Sequence, residues 1–332
     1  MRIVWLDAVE PGATASVGGK AQALARLRRR GLPVPDGFVV LARVLDDHLD
    51  ALGLRERALA GDDLAAAVGQ APLSPALRAD LQRAAVRLGG ALAVRSSGVA
   101  EDGAQASHAG QFHTALGVEV GAPLEWALRA CWASAWSGRV RAYRGEGGGY
   151  PRMAVVVQRA LAPRAAGVLF TVNPANGSWR EMTVEAAWGL GEAVVDGKVV
   201  PDFYRVRRPR RTPRPVQRVL ARLRLEITDR ATGSQERQWL PGAGGVVAQP
   251  VPAARRGTPC LDDRSLLRLC RLGLRAEALL GGPQDLEWAL AEAGELHVLQ
   301  SRPVTTAGDV RRSGPVLWTR RFVGERWTEP AT

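Results

Sequence analysis

Two alternating runs, residues 285–292 and 295–302, flank Ala293-Gly294, which has the composition of a two-residue hairpin turn. With that turn, Glu292 faces Glu295, Glu287 faces Gln300, and Asp285 faces Arg302. Residues two apart on a strand point the same way, so the last two pairs share one face. The turn-proximal half of that face is apolar (Ala289, Ala291, Leu296, Val298), and His297 falls on the other face with Trp288 and Leu299.

Helical and strand periods succeed one another along the rest of the chain. A helix follows Gly18-Gly19-Lys20 through residues 21–30 and stops at Gly31 before Pro33. Residues 34–40 read as a strand, 41–60, 62–69 and 75–89 as helical segments, and 91–94 as a short apolar strand. A loop rich in Ser, Gly and Ala covers 96–110, and helix returns over 123–144. Residues 153–161 and 166–172 read as a strand pair joined by 162–165, and 181–188 as a further strand ending in Gly189-Leu-Gly191. A helix over 264–280 precedes the hairpin, and after residue 307 the chain becomes basic and irregular, like a linker. No period of roughly 20–50 residues recurs, which excludes solenoids and propellers.

Composition narrows the class. A chain of 332 residues can fold as two lobes, and no apolar run approaches the roughly 20 residues needed to span a bilayer. The N-terminus turns acidic too soon for a secretory signal. Cys131, Cys260 and Cys270 show neither a disulfide framework nor zinc spacing, so a reducing cytoplasm is the expectation. The net charge is +12, yet of 45 basic residues only Lys20 and Lys198 are lysine, a bias that GC-rich codons produce as readily as a partner does. Nine arginines lie in 205–224, interleaved with proline and without stacking aromatics. That stretch reads as a solvated connection between strands rather than a nucleic-acid surface.

Several positions carry chemistry. Two carboxylates, an amide oxygen and a guanidinium at one sheet end suit a divalent cation with phosphates; a surface ion pair beside an edge hairpin is the other reading. Lys20, at a glycine-flanked helix start, has phosphate-binding geometry, or is an ordinary exposed lysine. Arg95 leaves a buried strand towards a crevice, and the polar loop after it can fold over phosphates or lie on the surface. The strand ending in Gln158 suits a backbone edge that bonds a flat base, or a plain core strand. Glu185 and Glu192 bracket Trp188-Gly-Leu-Gly191, where one of them could meet a ribose or a metal-bound water.

Taken in order, these segments resemble the nucleotide-binding domain of the phosphoenolpyruvate synthase, pyruvate phosphate dikinase and rifampicin phosphotransferase family. The resemblance is carried by Gly18-Gly-Lys20, Gly31-Leu-Pro-Val-Pro-Asp-Gly-Phe-Val39, Ala93-Val-Arg-Ser-Ser97, Ala100-Glu-Asp102 and Ala109-Gly-Gln111. It continues through Met153-Ala-Val-Val-Val-Gln158, Gly167-Val-Leu-Phe-Thr171, Asn173-Pro174, Glu185-Ala-Ala-Trp-Gly-Leu-Gly-Glu192, Gln284-Asp-Leu-Glu-Trp-Ala289 and Leu299-Gln-Ser-Arg-Pro303. It implies an α+β ATP-grasp fold over residues 1–308, with two α+β lobes enclosing the nucleotide and a linker stub over 309–332. Lys20, Arg95 and Arg302 would bind phosphates and serve catalysis. Gly110, Gln111, Thr114, Gln158, Glu185 and Glu192 would complete the ATP site, and Glu287 with Gln300 would hold Mg²⁺.

The resemblance further implies a phosphotransferase that passes the β-phosphoryl group of ATP to a histidine on a partner domain or chain and releases AMP. A small molecule would be the final acceptor. The chain departs from the family in carrying His113 where an acidic residue is common, and in stopping where a linker to phosphohistidine and acceptor domains would begin. The expectation is therefore an ATP module served by a separate phosphohistidine protein, with a stand-alone ATP sensor and direct transfer to a small molecule as alternatives. Neither membrane nor nucleic acid is expected as a partner.

Overall fold

The computed structural model describes residues 1–99, 113–136, 150, 152–208, 225–242 and 245–304. They fall into two compact α+β units, one of Met1–Leu161 with Pro241–Val247, the other of Ala162–Leu240 with the residues from Ala248 onward.

The first unit runs β1 (Ile3–Trp5), α1 (Thr14–Arg29), β2 (Gly37–Val40), α2 (Ala42–Ala51), α3 (Arg55–Leu59), α4 (Ala65–Gln70), α5 (Pro75–Leu88), β3 (Leu92–Gly98), β4 (Thr114–Val118), α6 (Ala122–Ala133) and β5 (Met153–Arg159). Its antiparallel sheet has the order β1-β2-β5-β3-β4. The valine run of β5 is apolar throughout because helices cover both of its faces, α2 and α6 on one side and α1 on the other. One face packs Phe38, Leu92, Val94, Val155 and Val157 against helices α2, α5 and α6. The other face carries Ala93, Arg95, Ser97 and Gln158 by strand alternation, and α1 docks there through Ser97. Helix α5 starts at Ser74, whose hydroxyl accepts from the Leu77 N–H with Pro75 in the first turn, and it stops at Gly89.

The second unit holds β6 (Ala165–Phe170), β7 (Glu181–Trp188), α7 (Glu192–Val195), β8 (Asp202–Arg207), β9 (Glu226–Ala231), α8 (Asp263–Leu280), β12 (Gln284–Leu290) and β13 (Leu296–Pro303). Between β9 and α8 lies the two-stranded ribbon of β10 (Arg237–Gly242) and β11 (Gly245–Pro250). The six-stranded antiparallel sheet has the order β13-β12-β6-β7-β8-β9. Helix α8 covers its back: Gly273 lies so close to Leu169 and Met182 that a Cβ would stand 2.4 Å from Leu169 Cδ2. Asp262 caps that helix by accepting from the Ser265 N–H, and Gly281 ends it in the left-handed region. A buried bidentate pair, Arg208 to Glu277 at 2.7 and 2.8 Å, ties the end of β8 to α8.

Three expectations change. The 153–161 and 166–172 segments do not pair with each other: β5 lies in the first sheet and β6 in the second. Helix is described only over Ala122–Ala133 of the expected 123–144, with a 3₁₀ turn at Ser134–Trp136 and residues 137–144 outside the described set. The arginine-rich stretch begins as strand β8, whose Arg205 and Arg207 oppose Asp229 and Glu226 of β9; residues 209–224 lie outside the described set. The expected linker after residue 308 lies outside it as well.

Candidate functional site

The hairpin that the alternation predicts is present, with a different turn. Ala291 donates to the Glu295 carbonyl and Gly294 to that of Ala291, so the loop is Glu292-Ala293-Gly294, closed by Gly294 at φ 92°. A three-residue loop shifts the register by one, pairing Trp288 with Val298 and Ala289 with His297. Leu299 is then squeezed out of the ladder, and beyond this bulge Glu287 pairs with Gln300 and Asp285 with Arg302 as expected. The turn and bulge displace the apolar half instead. Val298 lies opposite Trp288, Leu296 opposite Leu290, and His297 stands on the Glu287 face, correcting its assignment to the other side.

Register extends this polar face across the sheet. Glu287 continues through Val168 to Glu185, and Asp285 through Phe170 to Thr183 and Arg205. Arg302 Nε donates to Asp285 Oδ2 at 2.7 Å, holding the guanidinium at the strand edge. The other Asp285 oxygen is buried without a partner, as is the Thr183 hydroxyl. Burial pushes the Glu185 carboxyl up to about 7, and the nearby Asp285 charge adds to the rise. Burial also raises Asp285 against the pull of Arg302, with Glu287 raising it further.

Gly189, at φ 79°, meets the Trp239 carbonyl so closely that no Cβ fits, and Gly191 packs on Ala166 and Gly167. The loop thereby folds α7, which starts at Glu192, over the face to which Ala166 points. Gln235 secures the loop from the strand side, accepting from the Trp188 N–H and donating to the Ala186 carbonyl. Among the described residues no three His, Cys, Asp or Glu side chains stand close enough to hold a metal ion. The donor set nevertheless suits Mg²⁺, which binds through one or two carboxylates and leaves other positions to water and phosphate oxygens. A buried carboxylate oxygen lacking a partner beside a carboxyl of raised affinity for protons is the mark of a face short of positive charge.

In the first unit, Arg95, Ser97 and Gln158 share the α1 face, and Thr114, opposite Arg95, points the same way. Lys20 follows a break in α1 at Gly18, whose φ is 77°. The backbone-edge reading of β5 is overturned because both its edges are occupied. Gln158 itself is buried against Gly37 and donates to the Pro35 carbonyl at 3.2 Å. His113 turns to the opposite face, edge-on to Trp126 of α6 and away from Arg95, so the departure at this position meets helix packing rather than the Arg95 face. Gly110 and Gln111 lie outside the described residues. The part played by Ser97 escaped the sequence reading, although a serine after a buried strand and a glycine pair at a helix start were both visible.

Fold and sequence together define an ATP-binding domain of the phosphotransferase class. The chain belongs to the family described as "Pyruvate phosphate dikinase, AMP/ATP-binding domain", whose profile matches residues 14–313. It is 37% identical over 327 residues to a rifampicin phosphotransferase of Streptomyces sp, covering 92% of this chain and 36% of that protein. It is 34% identical over 318 residues to a probable phosphoenolpyruvate synthase of Methanothermobacter thermautotrophicus, covering 88% of this chain and 44% of that protein. The chain thus spans less than half the length of these curated relatives. A solved ATP-grasp ligase, PsnB, aligns with 13% identity and a TM-score of 0.30, over 85% of this chain and 51% of that one.

Proposed function

We propose that the chain is the ATP- and Mg²⁺-binding module of a phosphotransferase that moves the β-phosphoryl group of ATP to a histidine on a partner domain or chain, releasing AMP, while the γ-phosphoryl group passes to water and leaves as inorganic phosphate. The observation that carries this reading is the row of Glu185, Glu287 and Gln300 beside the Asp285–Arg302 pair, on one face of one sheet. Bound Mg²⁺ would be held by Glu287 and Gln300 and would neutralise phosphate charge. Arg302, fixed by Asp285, offers a pre-oriented guanidinium to a phosphate oxygen. Lys20 and Arg95 add positive charge for the phosphates, while one of Glu185 and Glu192 accepts a hydrogen bond from a ribose hydroxyl or a metal-bound water. The nucleotide-side residues are completed by Gly110, Gln111, Thr114 and Gln158.

In-line phosphoryl transfer depends mainly on positioning and electrostatics, and a rigid sheet face is suited to both. On this reading the acceptor histidine and the final small-molecule acceptor would lie outside this module, and the chain covers 36% and 44% of the two named phosphotransfer relatives. Three cysteines that remain unbridged suit a cytoplasmic setting, and no helix among the described residues is long and apolar enough to cross a membrane. The test is incubation with ATP labelled at the β-phosphate, Mg²⁺ and a phosphohistidine-domain protein. Label on the partner and equimolar AMP are expected. Tight ATP binding without AMP would leave a nucleotide sensor, and label on a small molecule without the partner would mean direct transfer.

A further inference from the structure

Ser96 and Ser97 are neighbours and both fully buried, but their hydroxyls meet different fates. Ser96 Oγ, on the helix-packed face, has no partner. Ser97 Oγ accepts from the Ala21 N–H at 3.2 Å and donates to the Val17 carbonyl at 2.9 Å. In an unbroken helix Ala21 would donate directly to Val17, four residues earlier. The serine hydroxyl has entered that rung, satisfying both groups while the helix opens at Gly18. Gly18 makes the approach possible: a Cβ there would stand 2.2 Å from the Ser97 carbonyl oxygen and 2.3 Å from its Oγ.

We propose that Ser97 is a positioning residue for the ATP phosphates, holding the Gly19-Lys20 turn to the strand that carries Arg95. The inference rests on the reading of Lys20 and Arg95 as phosphate ligands given above. Its physical content is that one hydroxyl fixes the start of the Lys20-bearing helix segment two residues from Arg95, so a triphosphate meets both cations without reordering either. A ligand lacking the outer phosphates gains nothing from this.

Calorimetry on the whole chain with ATP and with AMP, both in Mg²⁺, tests it. Ser97→Ala is expected to weaken ATP about ten-fold and AMP little, by loss of both hydrogen bonds at the break. Ser96→Ala, which removes a hydroxyl without a partner, should leave both affinities unchanged. In a Lys20→Ala background, Ser97→Ala should cost nothing further. Equal losses for ATP and AMP, or a Ser97→Ala chain that binds ATP like Ser96→Ala, would overturn the proposal while leaving the phosphate reading in place. If Lys20→Ala itself binds ATP normally, the underlying reading fails and the proposal with it. Should Ser97→Ala not fold, hydrogen exchange in the native chain decides: the Ala21 amide must be protected before ATP is added, and fast exchange there overturns the proposal.

Discussion

Glu287 faces Gln300 across the hairpin because Leu299 drops out of the ladder between β12 and β13. The three-residue turn offsets the register by one, the bulge offsets it back, and the two irregularities together deliver a carboxylate and an amide to the same face. Both side chains lie on the polar face of the sheet rather than on the side packed by α8, so Glu287→Ala and Gln300→Ala should fold. Each should weaken ATP in the presence of Mg²⁺ by about 10- to 100-fold, and by much less in EDTA. Calorimetry in both conditions checks this; a Mg²⁺ dependence unchanged in both variants removes the metal assignment.

The polar face was legible because a strand has a period of two, which fixes which of Asp285, Glu287, Gln300 and Arg302 point together. The turn was not. Ala293-Gly294 serves a two-residue loop and the end of a three-residue loop alike, and Leu299 looks like any strand residue. The pairing of β5 was hidden for another reason: its partners Leu92–Gly98 and Gly37–Val40 are remote in sequence, whereas the following segment lies close by and invites a hairpin. Strands β8 and β9 were obscured by charge, since their exposed positions are filled by opposed arginines and acids such as Arg207 and Glu226, paired at 2.7 Å.

Arg302 and Asp285 form a pair with side chains only 15% and 9% exposed, so removing the arginine does more than remove a phosphate ligand. Arg302→Ala strands a buried carboxylate, a change that typically costs about 3–5 kcal/mol. Chemical denaturation should show that loss shrinking as pH falls, because burial already favours the protonated Asp285 carboxyl and removing Arg302 favours it further. Asp285→Asn in the same background should recover most of the stability. An Arg302→Ala chain as stable as the parent would mean the pair contributes nothing to folding.

Glu185 makes stability fall with rising pH. Its carboxyl is held up to about 7 in the folded chain by burial and then by Asp285, against an ordinary value of 4.5. Between those two values the folded state keeps a proton that the unfolded state has lost, so each step up in pH favours unfolding. Below 4.5 the effect is absent, and above 7 it is complete. Glu185→Gln should therefore be more stable than the parent at pH 8, by a margin on the order of 1–3 kcal/mol, and equal to it at pH 4.5. Denaturation midpoints across this range are the measurement, and parallel pH profiles for the two proteins would show that Glu185 titrates normally.

Arg208 and Glu277 illustrate a different use of buried charge. Their side chains are 7% and 6% exposed, the contact is bidentate, and Arg208 also donates to the Thr171 carbonyl at the end of β6. The pair thus joins β8, α8 and the segment after β6 behind the sheet, on the side away from Glu185 and Glu287. Breaking it by Arg208→Ala removes a bidentate charged donor from a buried carboxylate and a donor from the Thr171 carbonyl, with an expected cost of about 3–5 kcal/mol. Replacing both partners by apolar residues of similar size, Arg208→Met with Glu277→Leu, should restore much of that stability, because two desolvated charges are removed together. Unfolding in urea separates the cases. If the double variant is no better than Arg208→Ala, the ion pair is required for the packing of α8 itself. Recovery with unchanged ATP affinity would show that it serves stability and leaves the front face as it was.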